Sequence, residues 1–112
     1  MGSSEIINCS LHNGYGWGLS IKNSNNILVK DNRIYNFRPI GLLISDVKNV
    51  TVDRNVIGHI AIRTTMDKDK ADPDEECGIC TCTYNNENNE KCEDTMVTNN
   101  IVAGAHWVGM TL

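Results

Sequence analysis

The amino-acid sequence predicts an all-β fold, a right-handed parallel β-helix of about four rungs, and three observations point to it. A 23-residue recurrence runs along the 112 residues: Cys9, Asn32 and Asn55 stand 23 apart, and Asn100 follows Asn55 by 45. Apolar residues alternate with polar ones in short, β-branched runs around these anchors, the pattern of strands with one buried face. Nine residues after an anchor comes a glycine opening a short apolar run, at Gly18, Gly41 and Gly109. Repeats of this length are supersecondary units that cannot bury an apolar face alone and must stack.

The elements follow in order. The first beat carries "IINCSL" and then "GLSI" after Gly18. In the second, Ile27 and Val29 alternate with Leu28 and Lys30, Ile34 follows Asn32, and Leu42 and Ile44 follow Gly41. In the third, Val50 and Val52 alternate with Thr51 and Asp53, and Ile57 follows Asn55. Met110 and Leu112 close the last. Runs such as Asn23-Ser24-Asn25-Asn26 and Lys48-Asn49 suit the corners, because Asn tolerates a left-handed backbone.

The last beat hides 22 extra residues. Aligning "GICT" at Gly78 with "GLLI" at Gly41 places 14 of them before this strand and 8 after it. Two excursions, roughly Ala61 to Cys77 and Thr83 to Glu93, therefore flank one strand, and residues 61–93 are expected to build a loop face on one side of the solenoid. Residues 1–112 read as a single β-helix segment with no clear polar cap, hence as a piece of a longer solenoid.

Asn32, Asn55 and Asn100 are expected to stack as an amide ladder, with Cys9 taking the same place as a small buried thiol. The outward pair Asp31 and Asp53 is expected to stack one rung apart, with mutually raised pKa values. That pair is a weak catalytic candidate, flanked by Lys30 and Arg54, while His12, His59 and His106 are residues of a kind that serves as acid, base or ligand. No nucleophile and base can be paired by spacing among His12, His59 and His106. Trp17 and Trp107 fall near corners, where packing or stacking on a sugar are both open.

Net charge is −4, with acid concentrated in "DKDKADPDEE" and "ENNEKCED". The lack of a basic stripe argues against nucleic acid. No apolar run is long enough to span a bilayer, so a membrane is expected only through the rest of a parent chain. Asp67, Asp69, Asp72 and Asp74 offer oxygen ligands of the kind calcium takes but miss the EF-hand pattern, and a solvated acidic loop is the simpler reading. No cofactor is expected. Cys77, Cys80, Cys82 and Cys92 crowd the insertion. Two disulfides stapling a core-poor loop, a zinc site and free cytosolic thiols all remain open, and the disulfides fit the spacing best. Asn8-Cys9-Ser10 and Asn49-Val50-Thr51 match the N-glycosylation acceptor pattern, which supports an oxidising, extracellular route over a cytoplasmic one.

The stretch "SEIINCSLHNGYGWGLSIKNSNNILVKDNRIYNF" resembles the parallel β-helix repeats of the fibrocystin and fibrocystin-L family, as does "TNNIVAGAHWVGMTL". The resemblance spans the chain except for its Cys-rich excursions. It implies a large, single-pass membrane parent with a glycosylated, receptor-like or adhesive ectodomain, and a protein or glycan as ligand. Hyaluronan-depolymerising relatives share similar repeats, so a carbohydrate-active enzyme is the alternative.

Overall fold

The computed structural model describes residues 3–38, 40–58, 77–81, 92–104 and 108–111. Their strands are β1 (Ser4–Ile7), β2 (Ser10–Tyr15), β3 (Leu19–Lys30), β4 (Arg33–Arg38), β5 (Ile40–Asp53), β6 (Val56–Gly58), β7 (Cys77–Thr81), β8 (Cys92–Thr98), β9 (Ile101–Ala103) and β10 (Val108–Thr111). Every pairing among them is parallel. One sheet runs β1-β3-β5-β7-β10, with β8 also on β5, and the other runs β2-β4-β6-β9.

Each strand pairs with the text one recurrence later. Leu19 lies beside Leu42 and Val29 beside Val52, while Ile34 lies beside Ile57. The long strand β5 is continued on its next neighbour by two separate strands. The first half of β5 pairs with β7, Leu42 against Ile79, and the second half pairs with β8, Val52 against Val97. The chain between these halves, and the rest of residues 61–93, lies outside the described residues.

The inward positions stack into apolar columns, several along the β1-β3-β5 sheet and one, Leu11, Ile34, Ile57 and Val102, on the other. Ile21, Val29, Ile34, Leu42, Ile44, Val47, Val50, Val52, Ile57 and Ile79 make the buried cluster. Burying each such side chain contributes roughly 1.5–3 kcal/mol. Met110 lies beside the buried Ile79 and so shares its inward column, but it is exposed because no described strand covers that side of β10. Leu43, whose side chain alternates to the opposite face from Leu42, is also buried.

The corners explain the abundance of Asn. Asn8, Asp31, Arg54 and Asn99 share one left-handed column, with φ of 55°, 56°, 56° and 55°. Asn13 and Asn36 make a second, Asn23 and Asp46 a third, and Asn26, Asn49 and Asp94 a fourth. Asn and Asp tolerate this backbone region, which costs most L-residues roughly 1–2 kcal/mol. Gly18 serves close approach instead. A Cβ there would lie 2.6 Å from the Gly41 carbonyl oxygen and 2.6 Å from Ile34 Cγ2, so the rungs meet where only glycine fits.

Candidate functional site

Three arrangements of polar or aromatic side chains are built by this stacking, and they differ in what they can do.

The first is the internal amide ladder. Asn55 Oδ1 accepts from the Asn32 backbone N–H at 3.0 Å and from Asn32 Nδ2 at 2.9 Å. Asn55 Nδ2 in turn donates to the Val29 carbonyl at 3.0 Å and to Asn100 Oδ1 at 2.9 Å. Asn100 Oδ1 also accepts from the Asn55 backbone N–H, and Asn100 Nδ2 donates to the Val52 carbonyl. Asn32 Nδ2 repeats the pattern on the Ile6 carbonyl at 2.8 Å. Asn32 and Asn55 are buried, so each amide's hydrogen-bonding capacity is used where water cannot reach. Cys9 joins only by its backbone, donating its N–H to Asn32 Oδ1 at 2.9 Å. Its side chain is a free thiol and exposed, not buried as expected, since no described rung lies over it. The ladder is structural and offers no reactive group.

The second is the carboxylate pair. Register corrects the expectation that Asp31 stacks on Asp53. Asp53 pairs with Lys30, so Asp31 falls beside Arg54 on the neighbouring left-handed column. Arg54 Nε reaches Asp31 Oδ1 at 3.5 Å and Asp53 Oδ2 at 3.4 Å, bridging the two acids. Asn99 Nδ2 and Thr98 Oγ1 both donate to Asp53 Oδ1, at 3.0 and 2.9 Å. These two hydrogen bonds hold the Asp53 carboxyl below its ordinary value of 3.8, and the charges of Arg54 and Lys30 act in the same direction. The expected rise is therefore reversed at Asp53, because each bond stabilises the charged form. A general acid needs the opposite shift.

The third is a slot on the outward face of the β2-β4-β6-β9 sheet. His12 pairs with Tyr35, Tyr35 with Gly58, and Gly58 with Ala103. The His12 and Tyr35 rings are stacked, 5.0 Å between centroids and 9° between planes. Beyond Tyr35 the same column carries glycine and then alanine, so the stack stops over an open floor. The depression is lined by Arg33, Tyr35, Val56, Gly58, Ala103 and Gly104, among others, and holds about 560 Å³. The sequence reading missed it. Its signal lies three residues after each anchor, where the chain reads His, Tyr, Gly, Ala.

Other expected sites are dispersed or undescribed. Asn8 and Asn49 are exposed at left-handed corners, and Asn49 Nδ2 donates to Asn26 Oδ1 at 2.8 Å. Trp17 is exposed, with Lys22 Nζ 4.5 Å above its ring centroid. Cys92 is disulfide-bonded, and the sulfur it bonds belongs to a side chain outside the described set. Its Sγ lies 3.6 Å from the Ile44 carbonyl oxygen, a contact only, because a disulfide sulfur has no proton to donate. The side chains of Cys77 and Cys80 lie outside the described residues, as do Cys82, Asp67, Asp69, Asp72, Asp74, His59, His106 and Trp107. Among the described residues no three His, Cys, Asp or Glu side chains gather as a metal site, and no helix is long and apolar enough to cross a membrane.

The family described as the right-handed β-helix region matches residues 2–111. This chain belongs to that family. No curated protein and no solved structure matches it. The family match and the parallel pairing agree on a β-helix segment; neither ties the chain to fibrocystin.

Proposed function

We propose that this β-helix segment is a non-catalytic part of a large, receptor-like or adhesive ectodomain of the fibrocystin kind. About four rungs on a 23-residue repeat act as a rigid scaffold, and an outward face binds protein or glycan. The observation that carries this reading is the state of Asp53. Among the described residues, the carboxylate pair Asp31 and Asp53 is bridged by Arg54, and Asp53 accepts from Thr98 and Asn99. Glycoside cleavage needs one carboxyl protonated near neutral pH, and these contacts push Asp53 the other way. The exposed sequon residues Asn8 and Asn49, and disulfides among Cys77, Cys80, Cys82 and Cys92, belong to the same extracellular reading.

Two experiments test it. A non-reducing peptide map of the native protein is expected to show glycan on Asn8 or Asn49 and no free thiol among the four clustered cysteines. Bare sequons and free thiols would move the protein to the cytoplasm. The purified native protein is also expected to leave acidic polysaccharides, hyaluronan included, uncut. Cleavage lost on Asp53→Asn would establish the enzyme instead.

A further inference from the structure

We infer that the slot beside Tyr35 is a docking site for an aromatic side chain flanked by a carboxylate, presented by a segment of a partner protein. The inference rests on reading the chain as a binding segment and names the chemistry that one face recognises.

Outward side chains of one column stand about 4.8 Å apart along the stack. That is close to the separation at which flat rings pack face to face. His12 and Tyr35 already fill two successive positions of their column as a parallel pair. The next two positions are Gly58 and Ala103, which carry no ring. One face of Tyr35 is thus taken by His12, and the Gly58 side of it opens on the depression. A third ring laid over Gly58 continues the stack in register.

The walls decide what kind of ring. Val56 and Ala103 offer no hydrogen bond, so a polyhydroxylated sugar would leave hydroxyl groups facing aliphatic carbon. An aromatic ring loses nothing there. Among the described residues of the lining, Arg33 alone is charged. Its side chain is exposed, and among the described residues no carboxylate pairs with it. A carboxylate one residue from the ring satisfies this guanidinium by a charge-assisted bond. The slot lies open along a sheet face, whereas free small ligands are mostly engulfed. A peptide segment lying across the face fits this better than a free aromatic acid.

The test uses the isotope-labelled full chain, titrated with capped Trp-Glu, its Trp-Gln and Leu-Glu analogues, and free glucuronate and indole acetate. Expected are amide shifts centred on Tyr35, Gly58 and Ala103, with Trp-Glu binding about tenfold more tightly than either analogue. Arg33→Gln is expected to erase the preference for Glu over Gln, and Ala103→Leu to weaken both Trp peptides. Arg33 is exposed, so its variant keeps the test sound if Ala103→Leu perturbs the fold. Equal binding of Trp-Glu and Trp-Gln, preference for glucuronate or indole acetate over the peptide, or no binding up to millimolar concentration would each overturn the inference. Polysaccharide cleavage by the native protein would remove the broader reading without touching this result.

Discussion

Replacing Asn55 by alanine removes the centre of the internal ladder. Asn55 is fully buried and makes four side-chain hydrogen bonds. Its backbone is not among the left-handed positions, so alanine adds no backbone strain. The substitution leaves the buried Asn32 N–H without its acceptor and takes from Asn32 Nδ2 one of its two. It also strips a donor each from the Val29 carbonyl and Asn100 Oδ1. An orphaned buried polar group costs about 1–3 kcal/mol. The carbonyl of Val29 and the half-buried Asn100 retain other ways to be satisfied, so the two Asn32 donors dominate. We expect a loss of about 3–5 kcal/mol, a large share of the roughly 5–15 kcal/mol that holds a domain folded. Equilibrium urea unfolding reads this directly. Asn36→Gly is the internal control: it removes the exposed Asn36 to Asn13 bond and keeps a left-handed residue in place, so a change below about 0.5 kcal/mol is expected. If Asn55→Ala costs no more than Asn36→Gly, the ladder does not hold the rungs together and the reasoning fails.

Gly18→Ala drives a methyl group into the Gly41 carbonyl and Ile34, and should destabilise by about 1–3 kcal/mol in the same assay, whereas a variant as stable as the parent would mean the rungs can part. Arg54→Asn relieves a left-handed arginine but removes two ion pairs, one exposed with Asp31 and one half-buried with Asp53. At low salt these effects should cancel to within about 0.5 kcal/mol, and in 1 M salt, where the ion pairs are screened, the variant should be the more stable. Because the pKa of Asp53 is lowered on folding, its stabilising effect is present above the ordinary value of 3.8 and is lost as pH falls through the folded value. Acid unfolding of Asp53→Asn should lack that component, and an identical acid profile would contradict it. Reducing the Cys92 disulfide under native conditions should lower the unfolding midpoint, since a cross-link typically contributes about 2–4 kcal/mol.

The spacing of Cys9, Asn32, Asn55 and Asn100 carried the architecture because a stack converts one sequence period into one spatial column. Inward positions such as Val29, Val52 and Ile57 were legible for the same reason. The outward face was harder to read, for two physical reasons. Asp31 and Asp53 differ by one register position, and on a strand one position exchanges a neighbour for a different column, which is how Arg54 came to sit between them. The slot beside Tyr35 depends on what is missing, and glycine at position 58 and alanine at 103 carry no chemistry to notice until the column is read downward. The fate of Cys9 and Met110 shows a third limit: a repeat pattern assigns an inward position, but burial needs a covering rung, and neither has one among the described residues.

The pairing scheme also has a mechanical consequence. Strands β1 to β6 are joined to text 23 residues away, and the pairings of β7 to β10 take a larger step across the insertion, each strand meeting only its neighbours in the stack. Tension applied to the chain ends therefore passes through every rung, and an end turn, bonded on one side only, is the one that peels most readily. Each turn without the insertion that peels away releases 23 residues, about 80 Å of extended chain. A stack paired only between neighbours can lengthen under load turn by turn from an end, without losing all of its rungs at once.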